Sequence, residues 1–159
     1  QSLDPRCIEA IKLAVYEEAS VYCGNRNPLT PIQAQFSLSF GIAAALAFDR
    51  LDAEVYRPGL FDDALLRDLE ALVEISIDPV RTSENRRGAT LSLLVDGHWH
   101  HESVDAVWGD RDCPLDEAGV REKFIAYASP SLGIEQSQKL ADSILEGSLD
   151  QGLDMIWSS

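Results

Sequence analysis

The chain has 159 residues, with 27 acidic against 13 basic side chains and a formal net charge of −14. That balance excludes a nucleic-acid partner, because phosphates demand a basic face. The apolar and charged shares are those of a globular chain, and no apolar run reaches bilayer length, so one α+β domain with a loosely attached tail is expected and no membrane partner.

The first ten residues, QSLDPRCIEA, carry no basic apolar leader, so none is expected. Asp4-Pro5 predicts a helical turn within residues 4–9. Ile11, Leu13 and Val15 alternate with Lys12, Ala14 and Tyr16, which predicts a strand over about 10–17. Glu17 to Cys23 suits a short helix, and Gly24-Asn25-Arg26-Asn27-Pro28 is a loop by composition. Cys7, Cys23 and Cys113 are widely spaced with no CxxC, which reads as buried thiols in a reducing compartment, hence a cytoplasmic location.

The central element is TPIQAQFSLSFGIAAALAFD, residues 30–49. Thr30 can cap, Pro31 suits the first helical position, and Gln33 can reach back as in a capping box. From Phe40 to Phe48 every residue except Gly41 is apolar. A helix apolar on all sides is surrounded by protein, so one central buried helix is expected here. Gln33, Gln35, Ser37 and Ser39 put polar groups beside Phe36 and Phe40, and such groups, once buried, need partners from protein or ligand.

Pro58-Gly59 marks a surface connection. Asp62 or Asp63 can cap a helix whose Leu65, Leu66, Leu69, Leu72 and Val73 form one buried stripe. Ile75 and Ile77 predict a strand that Pro79 ends or places at an edge, and residues 82–88 form a polar loop. Ala89 to Val95 is a strand, Asp96-Gly97 a hairpin turn, and His98 to about Val107 the return strand near an edge. Asp116 then caps a helix carrying Val120, Phe124, Ile125 and Ala128, which Pro130 interrupts. Residues 134–146 form another helix closed by Gly147, and Leu149 to Trp157 a last short one. The fold class is α+β: a two-layer α/β sandwich with a small antiparallel or mixed sheet in residues 1–107, then an all-helical, amphipathic tail in 108–159.

His98 and His100 share a strand face with Glu102, and with Asp96 nearby they could hold a zinc; the alternative is a solvated hairpin. Arg81, Arg86 and Arg87 are the only dense basic patch, suited to a carboxylate if they are more than a solvated loop. The acidic residues Asp49, Asp52, Glu54, Asp62 and Asp63 lack a metal-loop pattern and read as surface. No GxSxG, P-loop or GxGxxG occurs. The residues therefore describe a domain without a self-sufficient active site.

QAQFSLSF, residues 33–40, resembles the "eAqFSlpY" segment of the MmgE/PrpD family, which includes 2-methylcitrate dehydratases, cis-aconitate decarboxylases and iminodisuccinate epimerases. The family's order of elements is matched by Ile11–Tyr16, Pro28–Thr30, Asp62–Val73, Glu74–Asp78 and the Asp96-Gly97 turn. Its "G-x-p-x-x-Pls-x-e-l-x-x-KF" segment is matched by Gly109, Pro114-Leu115 and Lys123-Phe124. The resemblance implies a two-domain lyase or isomerase acting on a small di- or tricarboxylate without metal or organic cofactor. Residues 1–107 would be its lid domain, and 108–159 would complete a large helical domain whose N-terminal half carries the catalytic histidines. It implies no catalytic residue in this chain. Gln33, Ser37 and Phe40 would line the substrate pocket, and a helical half or subunit, with a homodimer also open, would be the protein partner. Two departures stand out: Phe40 replaces the family's tyrosine and Ser39 its usual proline. They leave open a non-catalytic module that binds a ligand or partner.

Overall fold

The computed structural model describes residues 4–145 and 147. The chain divides into two compact units, Gln1–Val107 and Trp108–Ser159.

In the first unit, a 3-10 turn at Pro5–Cys7 leads into β1 (Ile8–Val15), α1 (Glu17–Cys23), α2 (Pro31–Gln35) and α3 (Leu38–Phe48). After a 3-10 turn at Ala53–Tyr56 come α4 (Ala64–Leu72), β2 (Val73–Ile77), α5 (Pro79–Ser83), β3 (Ala89–Val95) and β4 (His98–Val104). The sheet order is β2-β1-β3-β4. β1 and β2 are parallel, which requires the long helical crossover between them; the other pairs are antiparallel. The architecture is α+β with a mixed sheet and a helical tail.

The strand period sorts the side chains. Ile11, Leu13 and Val15 of β1 pair with Leu93, Leu91 and Ala89 of β3, and Ile11 also with Val73 of β2. These residues meet Phe40, Ala43 and Ala44 of α3 and Leu66 and Leu69 of α4 in one core, which Val55 and Phe61 close. The hairpin turn has positive φ at Asp96 (49°) and Gly97 (73°), as a type I′ turn needs. β4 lies at the sheet edge and is exposed along its whole length.

Several expectations are corrected. Residues 30–49 form two helices, not one: the chain leaves helical geometry at Phe36 and Ser37, and Ser37 Oγ accepts from Phe40 N to cap α3. Only one side of α3 is buried, since Ala45 is exposed and Ile42, Leu46 and Phe48 are partly so. The loop expected over 82–88 begins inside α5, where Asp78 caps and Pro79 takes the first position. None of the three cysteines is buried: Cys7 is exposed, and Cys23 and Cys113 are intermediate.

In the second unit, Asp116 caps α6 (Glu117–Leu132) and α7 spans Ile134–Leu145. Pro130 does not interrupt α6. It lies in the last turn and removes one N–H donor, the one that would meet the Ala126 carbonyl, yet the helix runs on to Leu132, and Gly133 with φ 79° ends it instead. Arg121 and Asp142, 2.6 Å apart, tie the two helices. The expected helix at 149–157 lies outside the described residues. Among the described residues no helix is long and apolar enough to cross a membrane.

Candidate functional site

The residues picked from the QAQFSLSF segment take three different positions. Gln33 is on the surface of α2. Its N donates to Thr30 Oγ1 (3.3 Å), and its Oε1 accepts from Leu29 N at 2.8 Å, one residue upstream of where a capping box would end. Ser37 is buried, its Oγ 3.1 Å from Ser39 Oγ and accepting from Phe40 N at 3.1 Å. Phe40 is fully buried, its ring centroid 5.7 Å from that of Tyr56 and 5.5 Å from that of Phe61.

Beneath them lies a buried polar knot. Glu70 of α4 is 1 % exposed. One carboxylate oxygen accepts from Ser39 Oγ and from Asn27 N, each at 3.1 Å, and the other from Arg67 Nη1 at 2.9 Å. Arg67 Nη2 donates to Pro28 O at 3.2 Å, and the guanidinium covers the rings of Phe61 (4.6 Å) and Phe40 (5.6 Å). The chain thus joins three segments, the 25–29 loop, the start of α3 and α4, through one carboxylate that accepts three hydrogen bonds. That is the condition under which a buried charge is tolerated.

Reading the sequence for function did not single out Arg67 or Glu70, although a signal was present. Glu70 follows Leu66 by four and precedes Val73 by three, so it sits on the apolar stripe of its helix. Ser39, flanked by Leu38 and Phe40, is the hydroxyl that needed such a partner.

Two cavities border this region. One, of about 260 Å³, lies against Pro28, Leu29, Phe61 and Arg67. The other, of about 340 Å³, is walled by Val15, Ala19, Tyr22, Leu38, Ala89 and Val104, with Cys23 and Arg87 also on its lining.

Within the arginine cluster, Arg81 and Arg86 have separate partners. Arg81 is buried and donates to Val104 O (3.2 Å) and Ser103 Oγ (2.8 Å), with Asp78 Oδ2 3.4 Å from its Nε. It pins α5 to the hairpin. Arg86 pairs with Glu84, and Arg87 borders the larger cavity. The histidines are divided as well. His98 Nδ1 lies 2.8 Å from Asp96 O, and His101 Nδ1 lies 2.8 Å from Ser92 Oγ while its ring stacks on Trp99. Among the described residues, no three His, Cys, Asp or Glu are grouped to hold a metal ion.

Chemically, the knot orients and shapes. Ser37 is occupied as a cap, Phe40 has no polar atom, and the Glu70 carboxylate is enclosed by its three donors. The family model of the MmgE/PrpD C-terminal domain matches residues 1–150. A comparison with curated proteins finds no match.

Proposed function

This chain belongs to the MmgE/PrpD family, and from that premise we propose that it is the lid-and-tail portion of a lyase or isomerase that works with an N-terminal helical half. The substrate is a small di- or tricarboxylate. The reaction moves a proton at the carbon α to a carboxylate, with loss of water or CO₂, or with return of the proton on the opposite face. The single observation that carries this reading is the match to the family's C-terminal domain along residues 1–150. The chemistry of the QAQFSLSF segment supports the division of labour. Its hydroxyls are already bonded within the protein and its buried ring cannot carry a proton. Base and acid therefore belong to the helical half, while Gln33, Ser37 and Phe40 form or back the lid side of the pocket. Gln33 keeps its side-chain N–H donors for a substrate carboxylate, Ser37 fixes the start of α3, and Phe40 packs behind it. The chain without the helical half is inactive, and the paired enzyme works in the cytoplasm without metal or organic cofactor.

The test is α-proton exchange in D₂O followed by NMR on a panel of citrate-like acids. The chain is mixed with the N-terminal domain of a MmgE/PrpD protein from the same source, and each piece is also run alone. Exchange or turnover in the mixture only is expected. The second reading, a non-catalytic module that binds a ligand or partner, is favoured by Phe40 at the position of the family's tyrosine. Binding without exchange or turnover on any acid would establish it.

A further inference from the structure

The two edges of the sheet are built differently. β2 has five residues and runs into Asp78-Pro79, and a short strand closed by proline is a blunted edge. β4 has seven residues, keeps an unbroken register with β3, contains neither Pro nor Lys, and is exposed along its whole length. A long, regular, bare edge is a template for another strand.

The hairpin determines which backbone groups that edge offers. The two-residue turn at Asp96-Gly97 closes on the pair Val95–His98. In such a hairpin this pair exchanges both backbone hydrogen bonds, and hydrogen-bonded and non-hydrogen-bonded pairs alternate from there. His98, His100, Glu102 and Val104 therefore turn their N–H and C=O groups to β3, while Trp99, His101 and Ser103 turn theirs to the open side. The edge is also ordered in advance. His101 Nδ1 lies 2.8 Å from Ser92 Oγ, its ring stacks on Trp99, and Lys12 Nζ lies 5.0 Å from the Trp99 ring centroid. Order before contact lowers the cost of association.

We propose that β4 pairs with β4 of a second copy of this chain, antiparallel about a two-fold axis at His101, so that two four-stranded sheets become one. Two independent requirements meet in this register. His101 is the middle residue of His98–Val104, so an axis there pairs all seven residues and sets the outward groups of Trp99, His101 and Ser103 against one another. The same axis places His100 opposite the partner's Glu102, and Glu102 opposite the partner's His100. These are non-hydrogen-bonded positions, where facing side chains come closest. An imidazole N–H can donate to a carboxylate there, twice in the dimer. An axis one residue further on, at Glu102, would set two glutamates face to face. In a chain of net charge −14, β4 itself carries a single acid, and Asp96 and Asp105 fall outside the paired residues. A strand that complements itself in both backbone and charge has its own copy as the fitting partner.

The test is sedimentation equilibrium of the intact chain up to about 1 mM, the range of a weak interface. A monomer–dimer equilibrium is expected. His100→Glu puts Glu opposite Glu, and Glu102→Lys puts Lys opposite His; each is expected to weaken the dimer roughly fivefold, because the changed pair occurs twice. The double variant His100→Glu/Glu102→Lys puts Glu opposite Lys and is expected to recover wild-type affinity. His101→Pro removes an outward N–H without touching the bonds to β3, and the dimer is expected to be lost. Glu74→Lys, on the other edge strand, is expected to change nothing. Amide exchange at Trp99, His101 and Ser103 is expected to slow as concentration rises. Circular dichroism checks each fold, and if His101→Pro does not fold, the charge variants at exposed positions decide. A monomer at every concentration would overturn the proposal, as would a dimer indifferent to these variants or a double variant that fails to recover. Protection of β4 that appears only when an N-terminal helical domain is added would name that domain as the cover and overturn it too.

Discussion

Glu70→Gln isolates the charge at the centre of the buried knot while keeping the shape of the side chain. The wild-type carboxylate receives Arg67 Nη1 on one oxygen and Ser39 Oγ and Asn27 N on the other. An amide has one oxygen and one NH₂. Either its NH₂ meets the guanidinium, or it meets the Asn27 N–H and loses that bond. A hydrogen bond to a charged group contributes about 1.5–3 kcal/mol, and breaking a fully buried ion pair costs about 3–5 kcal/mol. Arg67 keeps 28 % of its side chain in solvent, which moves the expectation to the lower range, about 2–3 kcal/mol. Urea unfolding followed by circular dichroism reads this as a midpoint about 1 M lower, for the slopes usual at this size. In an Arg67→Met background the same change should cost at least about 1 kcal/mol less, because the two groups are coupled. A loss below about 0.5 kcal/mol, or an equal loss in both backgrounds, would refute the claim that this pair holds the loop, α3 and α4 together.

Gly88→Ala would drive a β-carbon into the Val104 carbonyl oxygen and the Arg81 guanidinium; a loss of about 1–3 kcal/mol is expected by urea unfolding. Ser37→Ala removes the cap of α3 and one neighbour of Ser39, and about 1 kcal/mol should be lost in the same assay. Phe40→Tyr places a hydroxyl among Tyr56, Phe61 and Arg67; unless it reaches a partner, a cost of about 1–3 kcal/mol is expected, read as a lower melting temperature. The hydrogen bond from Arg50 holds the Asp52 carboxyl below its ordinary range. A depressed value means stabilisation that is complete above the unfolded pKa of about 4 and lost as pH falls through the folded value. The stability difference between the wild type and Asp52→Asn should therefore shrink on acidification, and a difference that grew would contradict the sign.

The parts of the fold that short-range rules govern could be read from the chain. Alternation in residues 11–16, the stripe on α4 and the Asp96-Gly97 turn each depend on near neighbours, and the strands and helix they predict are present. The failures arise where two local signals compete. Ser37 looks like one more polar residue in the first half of a single buried helix, yet it caps a new one, and Ser39 and Phe40 just after it are buried. Pro79 reads as the end of a strand and is also the start of α5. For the site, the sequence announced that Ser39 would need a partner but not that Glu70, thirty-one residues on, would be it. The pairing is a property of how α3 lies on α4, which no local pattern encodes. The arginines illustrate the reverse: close in sequence, Arg81 is buried against Ser103 while Arg86 pairs with Glu84 on the surface.

The account turns on a site shared between two pieces. The most direct measurement is turnover of a citrate-like acid as this chain is titrated into a fixed amount of the N-terminal helical domain. Activity that starts at zero, rises with added chain and levels at one equivalent is predicted. Turnover by the chain alone, or by the helical domain with no response to added chain, would contradict it.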